Sequence, residues 1–155
     1  MPTQNEGDPL SSARELQLSD IKPGRCVGFE VKIGEEDVAA FAHLTGDRSP
    51  VHISDIEARA LGFPSRIAHG MLMASYFSTI VGMLLPGRNG VLLSCSADFL
   101  EPVALGAELT LTARVRQASR AARMVKISVC VHQSGLVVMK GMITAGVRPP
   151  RNVGN

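Results

Sequence analysis

The stretch "HGMLMASYFSTIVGMLL", residues 69–85, is apolar on every side of the helical wheel and is broken only by small or hydroxylated residues. A helix without a polar face must be buried on most of its sides. The run is also shorter than the roughly 18 to 20 uninterrupted apolar residues that a membrane span requires. Something in the same chain must therefore wrap it. The wrapping is written downstream, where three segments alternate with period two. Leu109, Leu111, Ala113 and Val115 alternate with Thr110, Thr112, Arg114 and Arg116. Val125, Ile127, Val129 and Val131 alternate with Met124, Lys126, Ser128 and Cys130, and Val137, Met139, Ile143 and Ala145 with Val138, Lys140, Met142 and Thr144. These read as one-sided antiparallel strands. "VLLSCSADFL" (91–100) is a further, less cleanly amphipathic strand, "RCVGFEVKI" (25–33) another, and "GRNG" and "QSG" supply turns. A long central helix held in a curved antiparallel sheet, an α+β architecture, satisfies all these faces together.

The global numbers agree with one such domain. A chain of 155 residues buries about two thirds of its unfolded surface. A net charge of +2, five Phe, one Tyr and no Trp supply neither the basic surface nor the stacking series of a nucleic-acid binder. Cys26, Cys95 and Cys130 form no CxxC pair or ligand cluster, which argues against a disulfide framework and a zinc site and for a reducing compartment, the cytoplasm. The first residues lack the basic-then-apolar order of a signal peptide. Residues 1–18 read as a flexible leader, 19–148 as the domain and 149–155 as a tail.

Between the first strand and the central helix lies the chemistry. "EEDVAAFAHLT" (35–45) forms a short amphipathic helix with acids in its first turn. It runs into "TGDRSPVH" (45–52), and "SDIEARALG" (54–62) follows as a helix with Ser54 as N-cap and Gly62 as its stop. Asp47 and His52 are five apart, so a continuous helix would turn them away from each other. Pro50 forbids that continuation, and an extended or turned segment 48–52 lets both side chains reach one water. Gly70 begins the buried helix, where a backbone N–H at the positive terminus is free to meet a developing oxyanion. Gly70, Ala74 and Ser78 then repeat at a spacing of four and form a narrow line of small residues.

The segments "FAHLTGDRSPVH", "IAHGMLMASYFS" and "DFLEPVALGAELTLTARV" resemble, in order and spacing, the MaoC-like, R-specific enoyl-CoA hydratase family of hotdog-fold proteins over roughly residues 20–148. The family signature reads G-D-x-N-P-x-H. Gly46, Asp47, Pro50 and His52 match it, while Ser49 stands in place of Asn. Either the loop is braced differently or the reaction or substrate departs from the commonest members. The resemblance implies that Asp47 and His52 are a catalytic dyad for hydrating an enoyl thioester or for the reverse dehydration. Either member can be the one that removes the proton. It also implies an accessory role for Ser78, an acyl-CoA or acyl-carrier-protein thioester as substrate, and no metal or other cofactor.

Thioester hydrolysis and noncatalytic acyl-thioester binding are the competing functions for the same pocket. A lone hotdog leaves a sheet edge open, so a homodimer with joined sheets is expected. His43, His69 and His132 lie outside the dyad and read as packing or surface residues. Arg114, Arg116, Arg120, Arg123 and Lys126 read as a solvated strand face, and Met71, Met73 and Met83 as adaptable core.

Overall fold

The computed structural model describes residues 8–149. The first seven residues of the expected leader and all but Pro149 of the expected tail lie outside the described residues. The elements follow as β1 (Cys26–Lys32), α1 (Glu35–Thr45), α2 (Pro50–Ile53), α3 (Asp55–Ala60), α4 (Gly70–Thr79), β2 (Gly90–Phe99), β3 (Glu108–Ser119), β4 (Met124–Gln133) and β5 (Leu136–Val147). The five strands form one antiparallel sheet in the order β1-β3-β4-β5-β2.

The helix α4 is the hub of the core. Leu72, Met73, Ala74 and Phe77 are buried against the inner residues of β3, β4 and β5. The expected helix from His69 to Leu85 does not stay α throughout, because Ile80–Leu84 widens into a π-helical turn. Ile80, Val81 and Leu84 nevertheless remain buried, so the change of pitch carries the apolar surface onward into the core.

The period-two reading of β3 and β4 agrees with their burial. β5 departs from it at one place. Val138, expected to face outward, is 1% exposed, whereas Val137 is only half-buried. A register shift in the β4–β5 ladder between Val131 and His132 explains this, since one displaced residue exchanges the faces of its neighbours. The hairpin joining the two strands turns on Ser134 and Gly135, both with positive φ, as a two-residue loop with right-handed strand twist requires.

β2 pairs with β5 alone and is exposed or half-exposed along its whole length. The weak amphipathicity of its sequence belongs to an edge strand that is only partly covered, Ala97 being packed against the core. Ahead of the sheet, Leu10, Leu16 and Leu18 pack on the core. Arg14 N–H donates to the Met83 carbonyl at 2.8 Å and Arg88 N–H to the Arg14 carbonyl at 2.8 Å. The segment 8–18 thus lies over the π-helical end of the central helix. Among the described residues, no helix is long and apolar enough to cross a membrane.

Candidate active site

The loop that carries Asp47 is built by backbone constraints on both sides. α1 starts where the Asp37 carboxylate accepts from the Gly34 N–H at 2.8 Å, and it ends at Gly46, whose φ of 80° is the left-handed conformation a glycine adopts without strain. Thr45 Oγ1 donates to the Phe41 carbonyl at 2.7 Å and accepts from the Asp47 N–H at 3.2 Å. Asp47 Oδ1 then accepts from the Ser49 N–H at 3.1 Å, an Asx turn that closes the loop. The carboxylate thus braces its own loop. The Ser49 side chain makes no capping hydrogen bond, so the bracing passes through the Ser49 backbone.

Of the two forms expected of the segment around Pro50, extended or turned, the structure has the turned one. Pro50 is the first residue of the helical turn α2, where a fixed φ is already suitable and the missing N–H costs nothing. Breaking α1 and restarting at Pro50 brings His52 back toward Asp47. A second contact then orients the imidazole. His52 Nδ1–H donates to the Ile67 carbonyl at 2.8 Å, and a carbonyl can only accept, so in the neutral ring Nε2 carries the lone pair.

The Ile67 carbonyl is itself held in place. Ile67 N–H donates to the Val51 carbonyl at 3.2 Å, and Ala68 N–H to the Val103 carbonyl at 2.7 Å. Arg66 N–H donates to Asp55 Oδ1 at 2.9 Å, and its guanidinium reaches Glu35 Oε1 at 2.6 Å. The Arg66 backbone N–H, joined by its guanidinium and by Arg59, outweighs the opposing effect of desolvation and holds the Asp55 carboxyl below its ordinary range.

Asp47, His52 and His69 each offer a ligand-type atom within 4.8 Å of the others, the one such group among the described residues. Of the three, Asp47 is half exposed, with 51% of its side chain accessible, and His69 is 2% exposed. The imidazoles stack, with centroids 3.8 Å apart and planes tilted by 31°. Stacked rings direct their lone pairs side by side rather than toward one point, and one nitrogen of each already bonds a backbone carbonyl. The geometry suits a bridged water better than three-point coordination of an ion. A separation under 4.8 Å between carboxylate and imidazole is within reach of a single water.

His52 and Gly70 share the walls of a cleft of about 280 Å³, together with Phe63, Met73, Phe99 and Leu100. A larger depression, about 430 Å³, runs along β1 and β3 beside Glu30, Lys32 and Thr110, away from the dyad; the smaller cleft has His52 as a wall, with Asp47 beside that histidine but not itself a wall, and is the candidate site. Gly70 opens α4 directly after His69, and first-turn N–H groups have no partner within their own helix. A Cβ at Gly70 would come within 3.1 to 3.2 Å of the Phe99 ring. The space above this glycine is thus shaped by an aromatic wall of the cleft. Ser78 is not brought to this place. It lies two turns farther along α4, is exposed, and is not a wall of the cleft.

His69 was legible in sequence only as a packing residue, and it does pack. It is also the one polar residue among the buried core side chains described, and its Nε2–H donates to the Asp47 carbonyl at 3.0 Å. The signal was available: a histidine that opens an all-apolar helix is drawn into the core with it, and a buried imidazole needs a partner.

The sequence profile described as MaoC like domain matches residues 19–137. The chain belongs to the MaoC-like family. This MaoC-like chain is 34% identical over 139 residues to the (R)-specific enoyl-CoA hydratase of Rhodospirillum rubrum, covering 88% of itself and 96% of that protein. It is 37% identical over 97 residues to the 3-hydroxybutyryl-CoA dehydratase of Methylorubrum extorquens, covering 63% of itself and 62% of that protein. Its fold superposes on the (R)-hydratase from A. caviae involved in PHA biosynthesis with a TM-score of 0.79 at 29% identity, over 82% of this chain and 97% of that one. The MaoC-like chain is therefore a hotdog-fold enzyme of the hydratase and dehydratase class, a hydro-lyase.

Proposed function

We propose that this protein adds water to a trans-2-enoyl thioester to give an (R)-3-hydroxyacyl thioester, or runs the reverse dehydration, with Asp47 and His52 acting on one water. The observation that carries the reading is the oriented His52 imidazole. Its Nδ1–H is committed to the Ile67 carbonyl, which leaves the lone pair on Nε2, and one ring nitrogen of His52 lies within 4.8 Å of an oxygen of the Asp47 carboxylate, whose Oδ2 is outside the loop's own bracing. In the hydration direction, Nε2 takes one proton from the water while Oδ2 accepts the other O–H. The water oxygen bonds to C3, the C2–C3 π pair becomes the C1–C2 bond of an enolate, and the C1–O π pair moves onto the thioester oxygen. The Gly70 N–H at the helix terminus stabilises that oxygen. C2 then takes the proton back from the His52 imidazolium, which restores the enzyme. The carboxylate of Asp47 stabilises the imidazolium in between.

Gly70 provides the first test. Gly70→Val leaves the N–H in place but fills the space now occupied by Phe99. Displacing a wall of the reacting site by about 1 Å is expected to lower kcat about 100-fold, with the protein still folded. Native turnover in a folded Gly70→Val protein would show that the reaction does not depend on the space kept open between this glycine and Phe99.

A homodimer completes the proposal. Along β2, Val91, Leu92, Leu93 and Phe99 are 39%, 37%, 53% and 46% exposed, and Met71 on the neighbouring helix is 63% exposed. An edge strand that is apolar on its surface invites pairing with another strand, and a second copy of β2 joins the two sheets and covers the edge. Light scattering is expected to report a dimer, and Leu92→Lys to shift it toward monomer. A fully active wild-type monomer at working concentration would overturn the dimer. Cys26, Cys95 and Cys130 are unpaired, which supports a reducing compartment such as the cytoplasm.

The decisive assay is hydration of crotonyl-, hexenoyl- and longer enoyl-CoA with chiral analysis of the product. Formation of the (R)-3-hydroxy product supports the reading. Release of free thiol instead would make the protein a thioesterase, and tight acyl-CoA binding without turnover a binding module.

A further inference from the structure

We propose that His69 is a positioning residue that holds both members of the dyad and the start of α4 in one arrangement, acting chiefly through the backbone of Asp47. The inference rests on the hydration reading above. Three contacts of one buried side chain motivate it. His69 Nε2–H donates to the Asp47 carbonyl at 3.0 Å, fixing the loop at the residue whose carboxylate is to meet water. The His69 ring lies under the His52 ring at 3.8 Å, and Phe41 packs beside it at 5.0 Å, so the base has one flat wall to rest on. The His69 carbonyl accepts from the Leu72 and Met73 N–H groups at 3.1 and 3.3 Å, so the same residue caps the helix whose first N–H belongs to Gly70.

One feature of His69 is unfavourable for stability. With the proton on Nε2, Nδ1 of the neutral ring is a buried acceptor, and it has no hydrogen-bond partner among the described residues. A buried polar atom without a partner is costly, and an apolar side chain of the same shape would avoid that cost. A residue kept only for packing would be better as phenylalanine. The imidazole has to be needed for its one donor, and that donor goes to Asp47.

The test uses the full chain with His69→Phe and His69→Gln. Phenylalanine keeps the volume and the stack and loses the donor. Its melting temperature is expected at or above that of the wild type, with kcat down about 100-fold and KM nearly unchanged, because the loop that presents Asp47 is no longer held. Glutamine places an amide N–H where Nε2 stood and is expected to recover most of kcat. In an Asp47→Asn background, adding His69→Phe is expected to cost little more, since a residue acting through Asp47 has nothing further to lose. A stable His69→Phe protein with native kcat overturns the proposal. So does a loss of the same size in both backgrounds, or a folded His69→Gln protein as slow as His69→Phe. If the wild type hydrates no enoyl-CoA, the functional reading fails first, which is a separate outcome from these.

Discussion

Asp47→Asn and His52→Asn are each expected to lower kcat/KM for enoyl-CoA hydration by about 1,000-fold, the middle of the range for general acid–base groups, in proteins that stay folded. Both variants preserve the local structure. Asn at 47 still offers an oxygen to the Ser49 N–H, now held by Asp47 Oδ1 at 3.1 Å. Asn at 52 can present an N–H to the Ile67 carbonyl in place of Nδ1. His52→Asn loses the group that takes up the proton, and Asp47→Asn loses the carboxylate charge that holds the water and stabilises the imidazolium. His52→Ala removes the contact to Ile67 as well and is expected to be at least as slow. The double variant is expected to be little worse than either single one, because two groups that activate one water fail together. Acyl-CoA affinity is expected to survive, since the cleft walls from Phe63 to Leu100 are untouched. Ser49→Asn, which restores the family signature, is expected to stay near wild-type activity because the Ser49 hydroxyl makes no capping bond. Near-native hydration in both single variants, measured beside circular dichroism, would make the motif structural and end the mechanism proposed for it.

What the sequence revealed and what it hid follow from how local each constraint is. β3 and β4 were legible because each has one buried face, and burial stamps a period of two on the residues themselves. The break after Gly46 was legible because glycine and proline act on their own backbone angles. Its geometry was less so. Whether Pro50 prolongs an extended segment or starts a helical turn depends on the hydrogen bonds that follow it, here from the Ser54 N–H to the Pro50 carbonyl at 2.9 Å. Val137 and Val138 were exchanged because a β-bulge belongs to a pair of strands and leaves no mark in either one alone. The place of Ser78 followed the same pattern. Helical spacing from Gly70 aligned it along α4, but the cleft closes over the N-terminal turn, where Phe99 and Leu100 arrive from β2 and the loop after it. His69 was the reverse case, a residue whose burial could be foreseen and whose partner could not, since Asp47 lies 22 residues earlier.

Gly141 and Phe77 are expected to show the largest effects on stability, because the central helix reaches the sheet through this pair. A Cβ at Gly141 would fall 2.5 Å from the Phe77 ring and 2.5 Å from the Ser96 carbonyl oxygen. Phe77 is completely buried, so its ring cannot swing into solvent, and the Ser96 oxygen belongs to the backbone of β2, which pairs with β5. Both obstacles are therefore stiff. Gly141→Ala is expected to cost about 3 kcal/mol, the upper end for overpacking, and Phe77→Ala about 4 kcal/mol through the cavity it opens in the same place. Combined, they are expected to cost clearly less than the sum, since removing the ring frees half of the space the new methyl needs. They are not expected to cancel, because the Ser96 oxygen still stands 2.5 Å from that methyl. Urea unfolding at one fixed protein concentration measures all three, with the concentration held because an associating protein's stability depends on it. A Gly141→Ala protein as stable as the wild type would mean that α4 is not seated on β5 through this glycine, and the close approach of helix to sheet would need another explanation.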